Sequence, residues 1–446
     1  MKQGTRHLGS LAGKVASSLA DQATASGTNF VMNVLLARWL SRTDYGAFSV
    51  CWSFCLIFAA FHNAIILEPM TVVGPAEYGS HLAKYFQIVR RLNWYIVGAL
   101  GVLAVATALF YHEANVRIAL AFLAIALPGY LLLLTARRKQ YVVNQPTRAF
   151  RISVVYALAA GAMLVLLRAF SWLSAATGVI CIAMALPVAV WAQSRDKRRT
   201  ETGDTASIAL AAVTREHWRY GKWLFASAIL AVGVPDIQTI LLSAIVDLKS
   251  AGALRALMNF ILPLSQAATV LSVYALPGLA RRMKNYGAGL GLRQAVLFPA
   301  VITAIALVYL GALVACGSLI ERLLYNGRMA PYLVYLPLLA LAALISAIGA
   351  GFTTLLRAAQ NSQHQLFAGI AATVVGVAAA MLLLRNYGLQ GAMISMVLAN
   401  AASTLWIVGT YCYMVHRSRA SWSEAWADLL GHHLRDGKLS TAAASE

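Results

Sequence analysis

Unbroken apolar segments of helix length follow one another along the whole chain, and this limits most strongly what the sequence can become. A bilayer core of about 30 Å takes about 20 apolar residues per helix. Segments of that kind lie at roughly 14–38, 45–67, 92–111, 116–136, 152–168, 171–192, 221–246, 251–276, 294–320, 333–356, 367–384 and 389–414. Only 12% of the residues are charged and 60% are hydrophobic, against about 25% charged in an ordinary soluble domain. A soluble globular fold and a disordered chain are excluded. An outer-membrane barrel fits poorly, because its strands alternate apolar and polar residues over stretches of about 10. The predicted fold is an all-α integral membrane protein with about twelve transmembrane helices in two six-helix lobes. The lobes are residues 1–192 and 221–414, joined by a cytoplasmic linker, 193–220, and followed by a cytoplasmic tail, 415–446.

Charge sets the expected orientation. The net charge is +20, from 36 Lys and Arg against 16 Asp and Glu. Such a balance would point to nucleic acid in a soluble chain. Here the cations sit in short segments between spans, where they fix topology, so no nucleic-acid partner is expected. With the N-terminus inside, the inner segments hold 27 of the 36 cations and the outer loops hold 9. That bias predicts both termini in the cytoplasm and an even number of spans. No compact signal h-region is evident at the N-terminus. The cysteines, Cys51, Cys55, Cys181, Cys316 and Cys412, all lie in apolar runs and read as core residues. The histidines, His432 and His433 included, show no metal-ligand spacing, and neither metal nor cofactor is expected.

The two halves echo each other. Gly13-Lys14 is followed by Tyr45-Gly46-Ala47, and Gly221-Lys222 by Ala251-Gly252-Ala253 at a similar distance. A proline, Pro69 or Pro277, is predicted to end the next helix in each half. Parallel repeats of this kind place a substrate site at the repeat interface.

Polar residues inside the spans mark candidate sites. Lys14, Asp21 and Thr28 recur every seven residues along the first span, with Ser17, Ser18 and Asn29 nearby. A mid-bilayer Asp costs about 2.5–3.5 kcal/mol, so this stripe faces either a wet cavity or another helix. The seventh span carries Gly233-Val234-Pro235-Asp236, with Asp236, Thr239, Ser243 and Asp247 on one predicted face. Asp236 is either a proton or sodium site or the partner of a cation such as Arg255. In the eighth span Arg255, Asn259, Gln266 and Thr269 share a face. Arg255 has the donor fork suited to phosphate; the alternative is that it snorkels to the outer surface. Arg38 and Arg42 end the first span as interfacial anchors or as substrate contacts. Lys84, Arg90, Arg91, Arg137, Arg138, Lys139 and Arg148 line the inner side, where they draw anionic headgroups or only fix topology.

Residues 33–50, NVLLARWLSRTDYGAFSV, resemble the opening signature of the polysaccharide transporter family. These are the Wzx-type flippases of the multidrug/oligosaccharidyl-lipid/polysaccharide exporter superfamily. Ala37-Arg38-Trp39-Leu40 and Tyr45-Gly46 match its pattern, and residues 250–255, SAGALR, resemble the same junction in the second half. The resemblance covers nearly the whole chain. It departs in having twelve spans where some relatives have fourteen, and in cations that match only at Arg38 and Arg255. It implies a bacterial inner-membrane transporter, not an enzyme, that flips undecaprenyl-pyrophosphate-linked oligosaccharide to the periplasmic leaflet. Exopolysaccharide, capsule or O-antigen synthesis is the implied setting, with membrane lipids, a glycan polymerase and chain-length proteins as partners. On this reading Arg255, Asn259, Gln266, Arg38 and Asn29 bind substrate, and Asp21 and Asp236 couple an ion. The rival within the superfamily is a cation-coupled multidrug antiporter, which a carboxylate-dominated cavity would favour. A glycan polymerase or glycosyltransferase would need larger outer loops than these.

Overall fold

A computed structural model describes residues 2–197, 208–231, 234–361 and 363–417. Parts of the expected linker and tail, and Gly233, lie outside the described residues. All regular structure among the described residues is helical. In chain order the α-helices are α1 (Lys2–Trp39), α2 (Arg42–His62), α3 (Glu68–Glu77), α4 (Leu82–Phe110), α5 (Ala114–Val142), α6 (Pro146–Ala169) and α7 (Ala175–Ala183). They continue as α8 (Ala185–Lys197), α9 (Leu210–Ala231), α10 (Val234–Ile245), α11 (Leu248–Gln294), α12 (Leu297–Tyr325), α13 (Leu336–Ala358) and α14 (Gln363–Arg417).

Nine helical rods among the described residues are long and apolar enough to cross a membrane. One of these, α14, contains two expected spans, because Gly388 breaks it at φ 51° and ψ −127°. A side chain there would be strained. Two further rods, α1 and the α9–α10 pair, carry the polar residues singled out above and match the expected first and seventh spans. Exposed apolar side chains such as Val102, Leu109, Phe110 and Ile125 form surface that water would reject and lipid accepts. The chain is an all-α multi-pass membrane protein.

Several helices run longer than the apolar segments suggest. Neither proline ends its helix. Pro69 lies inside one helical run, Arg42–Glu77, in which α3 follows α2 through a π-helical stretch at Asn63–Leu67 just before the proline. Pro277 lies inside the 47-residue α11. Asp247 falls beyond the end of α10, so it does not share that helix's face as expected. Its carboxylate instead accepts from the Ser250 amide at 2.6 Å and caps α11. Cys51, Cys55 and Cys181 are buried as expected, but Cys316 and Cys412 are exposed on apolar surface rather than packed in a core.

The helices form two compact units. The first comprises 1–256 with 324–329. Its centre is α5, which packs against α2, α4, α6, α7 and α8 and buries Leu120, Leu123, Leu127, Leu131 and Leu132 completely. Beside the π-helical stretch, α9 docks through His217. Its Nδ1 meets the Ile65 carbonyl at 3.2 Å and its Nε2 meets the Tyr85 hydroxyl at 2.8 Å. Burial holds this imidazole down at about pKa 4, so it stays neutral near pH 7. One ring nitrogen then donates to the carbonyl while the other accepts from the phenol. The second unit comprises 257–323 with 330–446. Its described core joins Leu279 and Met283 to Leu355, Leu356 and Tyr411, and Arg293 donates to the Val415 carbonyl at 3.0 Å.

The tightest crossing in the first unit involves the two motif glycines. A Cβ on Gly46 would lie 1.8 Å from the Leu248 carbonyl oxygen, and one on Gly252 would lie 3.0 Å from the Gly46 nitrogen. The N-termini of α2 and α11 therefore touch backbone to backbone. Both corners are capped alike. Ser41 accepts from the Asp44 amide at 3.0 Å in the first, as Asp247 does from Ser250 in the second. We expect Gly46→Ala to force these helices apart and to destabilise by at least the 1–3 kcal/mol typical of overpacking. Gly27→Ala, which meets no atom within 4 Å, should leave thermal unfolding in detergent unchanged or slightly raised. Equal melting temperatures for the two variants would contradict the crossing.

Candidate functional site

Immediately past this glycine contact, α2, α10 and α11 bring a carboxylate, a guanidinium and a hydroxyl together. Arg255 on α11 reaches Asp236 on α10 with Nη1 to Oδ1 at 3.1 Å. Ser53 on α2 donates to the same oxygen at 3.0 Å. The side chains of Arg255 and Asp236 are 10% and 16% exposed. Arg255 therefore points inward and does not snorkel to the surface. Of the two roles open for Asp236 in the sequence, the pairing with Arg255 is present. Removing either partner of such a buried pair leaves a charge that costs about 3–5 kcal/mol. One acidic oxygen takes one arm of the guanidinium, and the residue's other donors remain for a second acceptor.

The site is placed by local sequence. Pro235 starts α10 where its missing N–H is tolerated, and Asp236 follows in the first turn. Thr239 donates to the Pro235 carbonyl at 2.9 Å. Ser243 shares a 2.7 Å hydrogen bond with the Tyr111 hydroxyl, so it faces α4's end and not open space. Asn259 and Gln266 follow Arg255 along α11 in the second unit, the first buried and the second half-buried.

Asp21 lies elsewhere in the first unit and is fully buried. Arg137 donates to it at 2.9 Å and Tyr141 at 2.5 Å, both from α5. Ser153 on α6 also donates to it. The polar stripe of α1 thus turns its carboxylate to neighbouring helices. Lys14 is exposed and Thr28 donates to its own helix at Thr24. Asn29 is half-buried, its carbonyl accepting from Asn33 at 2.9 Å. The Arg38 side chain is exposed; its carbonyl accepts from Arg328, while Arg42 donates to the Arg328 carbonyl at 2.9 Å. These contacts fix the α1–α2 corner. Among the described residues no group of His, Cys, Asp and Glu is placed to hold a metal.

Sequence reasoning missed Ser53, Ser153, Tyr141 and Tyr111. Arg137 and Tyr141 could have been found, because their four-residue spacing puts them on one helix face. The serines carry no such signal: small hydroxyl residues are ordinary inside membrane helices.

No family model matches the sequence, and no curated protein is similar to it. Solved structures are. The lipid II flippase MurJ in an inward closed conformation superposes with a TM-score of 0.68 at 13% identity, covering 93% of this chain and 96% of that one. A eukaryotic MATE transporter, AtDTX14, gives 0.63 at 16% identity, over 94% of this chain and 97% of that one. An inward-facing multidrug resistance MATE family transporter of the MOP superfamily gives 0.62 at 14% identity, over 91% and 96%. The chain has the all-α fold shared by this flippase and these MATE transporters.

Proposed function

We propose that the protein moves a polyprenyl-diphosphate-linked oligosaccharide across the bacterial inner membrane, from the cytoplasmic to the periplasmic leaflet. One observation carries this reading: each of the two mid-span carboxylates already rests on an arginine, Asp21 on Arg137 and Asp236 on Arg255. A cationic drug would need an uncommitted carboxylate, which neither residue offers. A diphosphate needs a cation, and Arg255 can offer its remaining donors or exchange Asp236 for the stronger anion. Asn259, Gln266, Asn29 and Arg38 are the proposed sugar and headgroup contacts. When Arg255 turns to the diphosphate, Asp236 keeps Ser53 and becomes free to take a proton or cation; Asp21 is the second proposed coupling site. Two repeats, 1–192 and 221–414, would alternate access around this point. The likeness to a lipid II flippase supports the reading. The likeness to multidrug transporters supports the second reading, a cation-coupled antiporter.

The orientation follows from the cation count, with both termini and 193–220 in the cytoplasm. Reporter fusions at Ser207 and after Glu446 should both give cytoplasmic signals. A periplasmic signal at either would overturn the orientation.

Arg255→Ala should reduce periplasmic glycan export about ten- to a hundredfold at matched protein level, from the ~1.5–3 kcal/mol of one charged hydrogen bond. Arg255→Lys should fall between, keeping charge but losing the fork. The single change also strands Asp236, so the deciding comparison sets Asp236→Asn alone against Asp236→Asn with Arg255→Ala. If Arg255 holds the diphosphate, export falls further in the double variant than in Asp236→Asn alone. Export restored to wild type there would reduce Arg255 to a structural partner of Asp236.

A further inference from the structure

On the same unit, away from the Asp236–Arg255 site, α3, α4, α5 and α8 line a half-open cleft of about 90 Å³. Its polar lining is Gln87, Arg90, Asn93, Thr135, Lys139 and Gln193, and no carboxylate is among the described lining residues. The apolar wall includes Met70 and Phe86.

The polar groups are arranged as donors. Asn93 is almost fully buried. Its Oδ1 lies 2.7 Å from His62 Nε2 and accepts from the Thr135 hydroxyl at 3.4 Å. An amide oxygen only accepts, so Nε2 carries the proton here. With its oxygen engaged on that side, Asn93 keeps its two N–H groups for the cleft. Arg90 has no hydrogen-bond or ion-pair partner among the described residues. Lys139 is steadied by the Phe86 ring, its Nζ 5.1 Å from the centroid. Two cations and a buried amide N–H₂ around one space, with no carboxylate among them, suit a compact oxyanion of high charge density.

We propose that this cleft binds a phosphate group, as the headgroup of an anionic phospholipid or as free phosphate, with Arg90, Lys139 and Asn93 as its ligands. The site does not depend on what the protein transports. The cation count places it near the cytoplasmic leaflet, where anionic headgroups concentrate such contacts.

The test uses the full-length purified protein, delipidated in detergent. It is titrated with a short-chain phosphatidylglycerol, with the matching phosphatidylcholine and with inorganic phosphate, and bound species are counted by native mass spectrometry. Wild type should bind phosphatidylglycerol more tightly than phosphatidylcholine. Arg90→Ala with Lys139→Ala should weaken this about tenfold or more. Lys84→Ala with Arg91→Ala removes the same charge outside the cleft and should bind as wild type does. Arg90→Lys, which keeps the cation, should retain most of the binding and guards against a folding defect in the alanine pair. Phosphate that displaces the lipid supports the site with free phosphate as a competent ligand. Lipid binding that phosphate does not displace supports it with the lipid headgroup as the ligand. Binding equal in wild type and in the cleft variant, or no preference for the anionic lipid together with no phosphate binding, would overturn the proposal.

Discussion

The Asp236–Arg255 ion pair ties three helices of the first unit together. Neither charge is tolerable alone in a bilayer interior, where each would cost about 2.5–3.5 kcal/mol on insertion scales. Paired, with Ser53 supplying a further donor, they become a link between three helices. The helix that supplies Ser53 is held against α11 by backbone contact at Gly46, Leu248 and Gly252. Steric fit and electrostatics thus act at one corner. Glycines allow the approach, serine and aspartate caps fix where the helices begin, and the charges then meet one turn further on.

A second consequence is chemical. Arginine paired with one carboxylate oxygen keeps donors in hand, and a lipid diphosphate presents several acceptors in the same geometry. On the proposed function, exchange between an internal carboxylate and a travelling anion would let the same guanidinium stabilise both the empty and the loaded protein. Asp21 differs in kind. Its oxygens are taken by Arg137, Tyr141 and Ser153 from two helices, so displacing any one of them would disturb the packing of α1 against α6.

Much of this was legible in the sequence. The unbroken apolar runs gave the helical membrane fold, and the polar interruptions in the first, seventh and eighth spans pointed to Asp21, Asp236 and Arg255. The pairing with Arg255 is one of two roles the sequence leaves open for Asp236, since helix periodicity assigns a face but not the neighbour that it meets. The helix ends were less legible. Pro69 and Pro277 read as terminators because a proline removes a hydrogen bond, yet the helix runs on past Pro69 after a π-helical stretch, and α11 carries Pro277 within its length. For the cleft, the sequence marks Arg90 and Lys139 only as two of several inner-side cations; that Lys139 of α5 meets Arg90 and Asn93 of α4 around one space is a tertiary fact that no spacing carries. Cys316 and Cys412 were misplaced for a related reason: in a membrane protein an apolar run faces lipid as readily as it faces a core.

The fold is common to a lipid II flippase and to multidrug transporters, so fold alone does not choose between an anionic lipid and a cationic drug. The direct choice comes from purified protein in proteoliposomes carrying a fluorescent undecaprenyl-diphosphate sugar, with an impermeant reductant added outside. The account predicts that the reductant bleaches the whole tagged pool with the protein and only the outer-leaflet pool without it. Bleaching confined to the outer leaflet, in the same vesicles that carry a cationic dye across under an ion gradient, would contradict it.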